Sequence, residues 1–74
     1  MSKIKTRYKF IHFQDMGTEW VCFNNKSMDV LCTVEFYKPW KQYVCSFSEG
    51  VVFSAGCLDD MSNFVKQLEK GENL

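Results

Sequence analysis

The sequence predicts an α+β fold: an antiparallel β-meander of four to five strands with one C-terminal α-helix packed on one face. Three observations carry this. Apolar and polar residues alternate at period two through most of residues 7–53, short polar or Gly/Pro turns interrupt that alternation, and after Ser54 the spacing changes to steps of three and four. The connections are too short for crossovers, so neighbours in the chain are antiparallel neighbours in the sheet.

The first strand is expected over 7–13, with Tyr8, Phe10 and His12 on one side and Arg7, Lys9, Ile11 and Phe13 on the other. Asp15, Met16, Gly17 and Thr18 form the first turn. Residues 19–23 read as a strand apolar on both faces, so which side meets the core stays open. Asn24, Asn25, Lys26 and Ser27 make a polar turn, since Asn tolerates positive φ and bonds its own backbone.

Residues 30–37 are the clearest strand, with Val30, Cys32, Val34 and Phe36 expected toward the core and Leu31, Thr33, Glu35 and Tyr37 away from it. Pro39 lacks a ladder donor, so Lys38, Pro39 and Trp40 mark a reversal. Residues 41–47 form the next strand, on which Tyr43, Cys45 and Phe47 alternate with Gln42, Val44 and Ser46. After Ser48, Glu49 and Gly50, residues 51–53 are expected as a short last strand.

Ser54 stands where an N-cap belongs, Asp59 and Asp60 fall in the early turns and Lys66 and Lys70 near the end, where each sign complements the helix dipole. Gly71 supplies the stop. Leu58, Met61, Phe64, Val65 and Leu68 make one apolar stripe for about four turns of helix.

A chain of 74 residues supports one core, so residues 1–74 are read as a single domain, with 1–5 and 72–74 expected to fray. Nine basic and nine acidic side chains cancel, which argues against a histone-like polycation and an acidic DNA mimic. No apolar run reaches the ~20 residues of a membrane span and no secretory signal pattern opens the chain, so a cytoplasmic protein is expected, without a membrane partner.

The single histidine, His12, has no obvious acid–base partner and reads as structural. Cys57 in the first helical turn is the one thiol that a helix dipole could activate, yet its apolar neighbours favour an inert, mostly buried group. Cys22, Cys32, Cys45 and Cys57 lie inside apolar patterns with nine to twelve residues between successive cysteines, unlike the tight Cys knuckles of a zinc site, although Cys32 and Cys45 could meet across paired strands. No catalytic residue, metal or cofactor is therefore expected.

Three surfaces stand out as candidates for binding. At the reversal, Tyr37 and Trp40 sit beside Lys38 and Lys41, with Tyr43 following, which reads either as aromatic faces next to cations or as Trp40 folded over the edge of the core with the lysines solubilising the turn. In the N-terminal segment Lys3, Lys5, Arg7 and Lys9 share one side if the chain is extended, a row suited to a polyanion or to edge protection. A lone helix covers only one face of the sheet, and Ile11, Phe13, Leu31, Tyr37 and Val44 are expected on the other, an apolar patch fit for a protein partner or a second copy.

From Leu31 to Leu68 the chain also resembles a group of short uncharacterised phage and bacterial proteins. The residues that carry the resemblance are Leu31-Cys32-Thr33-Val34-Glu35-Phe36-Tyr37-Lys38-Pro39-Trp40-Lys41-Gln42-Tyr43, Phe53-Ser54-Ala55-Gly56-Cys57-Leu58-Asp59-Asp60 and Phe64-Val65-Lys66-Gln67-Leu68. Cys32 stands where that group has glycine. The resemblance implies the same meander-plus-helix fold and an origin in a phage or mobile element. The function expected from all of this is a small non-enzymatic binding protein, a phage or mobile-element accessory factor acting by protein–protein interaction. The alternative is nucleic-acid or nucleotide binding through Lys38, Lys41, Arg7 and Lys9, with Trp40 and Tyr43 stacking on a base.

Overall fold

The computed structural model describes residues 4–71 and contains four strands, β1 (Ile11–Asp15), β2 (Trp20–Asn24), β3 (Val30–Tyr37) and β4 (Gln42–Phe47), followed by helix α1 (Ala55–Glu69). The strands form one antiparallel sheet in the order β1-β2-β3-β4, the meander that the short turns dictate. Residues 51–53 make no strand; they form the extended link that carries the chain from the end of β4 back to the helix.

Register fixes which side chains share a face. Phe13 opposes Cys22, Cys22 opposes Cys32, and Val34 opposes both Trp20 and Cys45, so these residues line the helix-facing side. Here Phe64 stacks on Phe13 at 3.9 Å between ring centroids and meets Trp20 edge-on at 5.1 Å. Met61 and Leu68 complete the buried stripe of α1, each about one turn from Phe64. Leu58 stands outside that stripe at 48% exposure, because Cys57 rather than Leu58 falls in line with Met61, Phe64 and Leu68.

Two local features reverse the faces expected for β1 and, at the start of β3, for Val30 and Leu31, while Cys32 and Val34 keep the core side expected of them. The chain turns back at Lys9 and Phe10, with Tyr8 N–H donating to Ile11 C=O (2.8 Å) and Phe13 N–H to Thr6 C=O (2.8 Å). Strand β1 thus begins at Ile11, and Ile11 and Phe13 are core residues rather than part of an open patch. Tyr8 joins them from the other arm of the reversal, its hydroxyl donating to Asn63 Oδ1 at 2.8 Å. On β3, Cys22 opposes Cys32 while Phe23 opposes Val30, so Leu31 is the extra residue of a bulge and turns into the core while Val30 is exposed. A one-residue shift moves side chains to the other face.

Ser54 caps α1, its Oγ accepting from Cys57 N–H at 3.2 Å, and Gly71 closes it at φ +70°. Residues 4 and 5, expected to fray, are tied down: Ile4 packs on the core and Lys5 exchanges hydrogen bonds with Gln67. Residues 1–3 and 72–74, including Lys3 of the basic row, lie outside the described residues.

Candidate interaction surface

The face turned away from α1 carries His12 and Gln14, Val21 and Phe23, Val30, Thr33, Glu35 and Tyr37, and Gln42, Val44 and Ser46. Of the five apolar residues expected there, Ile11, Phe13 and Leu31 are in the core, and only Tyr37 and Val44 remain. Six of the eleven are polar, so the face is mixed rather than apolar, and it does not provide the continuous docking patch that the alternation implies. Val21 is buried without belonging to the core cluster.

His12 is buried on this face, stacked on Phe23 at 5.4 Å. Asn25 Oδ1 can only accept, so His12 Nδ1 donates to it and Nε2 accepts from the Gln14 amide at 3.2 Å. Asn25 in turn donates through Nδ2 to the carbonyls of Tyr8 and Lys9. With both ring nitrogens engaged, His12 fastens the N-terminal reversal to β2. Cys57 packs on the core from α1, on the opposite side of the sheet, so the two residues are not brought together for thiol chemistry.

Beneath the helix, three thiols run across the sheet. Cys22 and Cys32 are directly opposed and fully buried, and hydrogen bonds link Cys32 to Cys22 and to Cys45, the contact across β3 and β4 that the sequence allows. The bond to Cys22, with burial, pushes Cys32 up to about 12; the bond to Cys32, with burial, raises Cys45 too. Cys32 and Cys45 are therefore held as neutral thiols, poor nucleophiles at neutral pH. All four cysteines are free, and no metal-binding group of three or more His, Cys, Asp or Glu residues occurs among the described residues.

The reversal between β3 and β4 is the most solvent-exposed aromatic site. Trp40 N–H donates to Tyr37 C=O (3.2 Å) and Lys41 N–H to Lys38 C=O (3.0 Å), and Lys41 adopts φ +54°, which closes the hairpin. Trp40 is 65% exposed and meets Tyr37, itself 41% exposed, edge-on at 5.2 Å. Trp40 separates two shallow depressions. One of about 420 Å³, on the helix side, is lined by Phe36, Lys41, Tyr43 and Glu69; the other, of about 300 Å³ on the outer face, by Glu35, Tyr37 and Val44. Tyr43 is half-buried against Phe36 and the core, so its ring is not free to stack on a ligand.

Arg7 and Lys9 lie beyond β1, at the end of the sheet where β1 starts, whereas Lys38 and Lys41 lie at the tip of β3 and β4, at the other end and the other edge. Each N-terminal cation among the described residues is engaged locally: Lys5 over the Tyr8 ring at 4.8 Å, Arg7 with Asn25 Oδ1 at 3.3 Å, and Lys9 over the Phe10 ring at 5.3 Å. The turn at Lys9 also breaks the row of period two. The two basic groups therefore occupy opposite corners and form no continuous phosphate track. No helix among the described residues is long and apolar enough to cross a membrane. In comparisons with protein-family models, curated proteins and solved structures, nothing matches this chain.

Proposed function

We propose that this chain is a small non-enzymatic binding protein, an accessory factor of the phage or mobile-element kind, that holds a protein partner at the tip of its β3–β4 hairpin. One observation carries the reading: Trp40, the bulkiest kind of side chain, is held out of the core on a closed turn and braced by Tyr37. A rigid, exposed aromatic between shallow depressions is how protein-binding anchors are built, because little side-chain entropy is lost when they dock. The charges around it are of both signs, Lys38 and Lys41 beside Glu35 and Glu69, which suits a protein surface better than a polyanion.

The test is capture from a lysate of the producing cell on immobilised wild type and on Trp40→Ala. Because Trp40 is mostly exposed, its removal costs the fold about 1 kcal/mol or less. It should weaken partner capture by about 2 kcal/mol or more, roughly 30-fold. The same proteins retained equally by both, with the variant folded, would remove the hairpin tip as the site.

A second reading is nucleotide or single-stranded nucleic-acid binding, favoured by the open Trp40 face next to Lys38 and Lys41. Its signature is an affinity that falls steeply with added salt. No gel shift of any single-stranded or double-stranded oligonucleotide at low ionic strength, and no binding of cyclic nucleotides, eliminates it.

A further inference from the structure

The two edges of the sheet are treated differently. Outside β1 the chain folds back on itself, with Arg7 bridged to His12, so that edge is partly paired and flanked by Lys5, Arg7 and Lys9. Outside β4 no strand follows among the described residues, and Gln42–Phe47 contains no charged residue, proline or bulge, the usual devices that keep a free edge from pairing.

The direction of each β4 amide follows from the register. Ser48 N–H donates to Leu31 C=O (2.9 Å), which places the even-numbered amides of β4 toward β3 and the odd-numbered ones outward. The outward amide of Tyr43 already has a partner, Glu69 Oε2 at 3.1 Å. The outward groups of Cys45 and Phe47 have none among the described residues. Beside them α1 and β4 enclose a groove of about 360 Å³ lined by Cys45, Leu58, Met61 and Val65, while Phe47 projects next to it at 52% exposure.

We propose that β4 pairs antiparallel with β4 of a second copy about a two-fold axis at Ser46, joining two meanders into one eight-stranded sheet. With Ser46 opposite its symmetry mate, Cys45 of each copy faces Phe47 of the other, and four backbone hydrogen bonds form while Tyr43 keeps its bond to Glu69. The register sets each exposed Phe47 ring against the other copy's Cys45 groove, a knob and a hollow that one surface offers to itself. Ser46 is small enough to sit at the axis, on the face away from the helices. The groove and Leu58 extend the contact from the strand onto α1, which favours a partner of the same strand-plus-helix breadth over a lone peptide strand. A stable dimer covers roughly 800 Å² on each partner, about a seventh of the 5335 Å² that this chain exposes, so the Trp40 tip need not be consumed. The dimer does not depend on the hairpin-tip reading.

Sedimentation equilibrium of the wild type, Phe47→Pro and Ser46→Lys tests it, with amide hydrogen exchange on the wild type. Pro at position 47 removes an outward donor without touching the β3 ladder, and Lys at position 46 sets two cations face to face across the axis. The wild type should sediment at twice the 8.7 kDa chain mass at about 100 µM, with the Cys45 and Phe47 amides protected; either variant, with its circular dichroism unchanged, should associate on the order of tenfold more weakly or not at all. A wild type monomeric at that concentration, or a dimer that both folded variants retain, would overturn the proposal. If Phe47→Pro does not fold, Ser46→Lys, at an exposed position, distinguishes the two outcomes by itself.

Discussion

Replacing Phe64 by alanine tests how the helix is seated. Phe64 is 0% exposed and lies against two rings, stacked on Phe13 and edge-on to Trp20, so the substitution removes most of a buried aromatic side chain and leaves a cavity between α1, β1 and β2. Burial of about 150–200 Å² at ~25 cal/mol/Å² gives roughly 4–5 kcal/mol, within the 3–5 kcal/mol typical of Phe→Ala in a core. Domains this small hold only about 3–5 kcal/mol in total, so Phe64→Ala should be largely unfolded at 25 °C. Phe64→Leu keeps most of the volume and should remain folded with a loss of about 1–1.5 kcal/mol. Leu58→Ala, six residues earlier on the exposed flank, should cost under about 1 kcal/mol. Urea titrations followed by far-ultraviolet circular dichroism and tryptophan fluorescence give all three. A folded Phe64→Ala losing less than about 1.5 kcal/mol, or a Leu58→Ala losing more than Phe64→Leu, would refute this seating of the helix.

Ser54→Ala removes the oxygen that accepts from Cys57 N–H and should cost about 1 kcal/mol, read as a lower urea midpoint at an unchanged slope. Met28 holds φ +63°, a conformation costly for an L side chain, so Met28→Gly should stabilise by about 0.5–1 kcal/mol; destabilisation in the same titration would contradict the turn geometry. Cys32 is raised from 9.0 to about 12 in the fold, so the folded chain keeps a proton there that the unfolded chain loses. Its contribution to stability is complete below pH 9 and is lost as pH rises from 9 through 12, with a slope of at most about 1.4 kcal/mol per pH unit. Burial also raises Tyr8, which adds to the fall in stability above its ordinary value of 10.0. Cys32→Val should flatten the alkaline loss measured by denaturation at stepped pH, and an unchanged slope would exclude the thiol as its source.

Elements whose ends carry a chemical signal are legible in the sequence. Strand β3 reads correctly over 30–37 because Pro39 forbids its continuation, and α1 because Ser54 and Gly71 mark its ends. The side on which β1 buries its residues is not legible: the reversal at Lys9 and Phe10 contains no Gly, Pro or Asn, and it is held by Asn25, fifteen residues away from Phe10. The Leu31 bulge leaves no trace in composition either, since Val30 and Leu31 are equally apolar and only pairing with β2 selects which turns inward. Residues 51–53 have the composition of a strand, and what they lack is a partner.

The candidate site divides in the same way. The reversal at Pro39 declares itself locally, but a ring at such a turn can also fold over the edge of the core, and it is the closed hairpin with Tyr37 beside it that leaves Trp40 65% exposed. Whether Arg7 and Lys9 join Lys38 and Lys41 depends on strand order, and in a four-stranded meander β1 and β4 are the two edges farthest apart. The Cys22, Cys32 and Cys45 row is likewise a product of register, which brings together residues ten and thirteen apart in the chain.

Backbone amide shifts of the labelled protein, followed while a captured partner is added, test the hairpin-tip surface most directly. The largest changes should fall within residues 36–43, and Trp40→Ala should abolish them. Perturbations centred on residues 7–10, or a response in which Trp40→Ala titrates like the wild type, would contradict it.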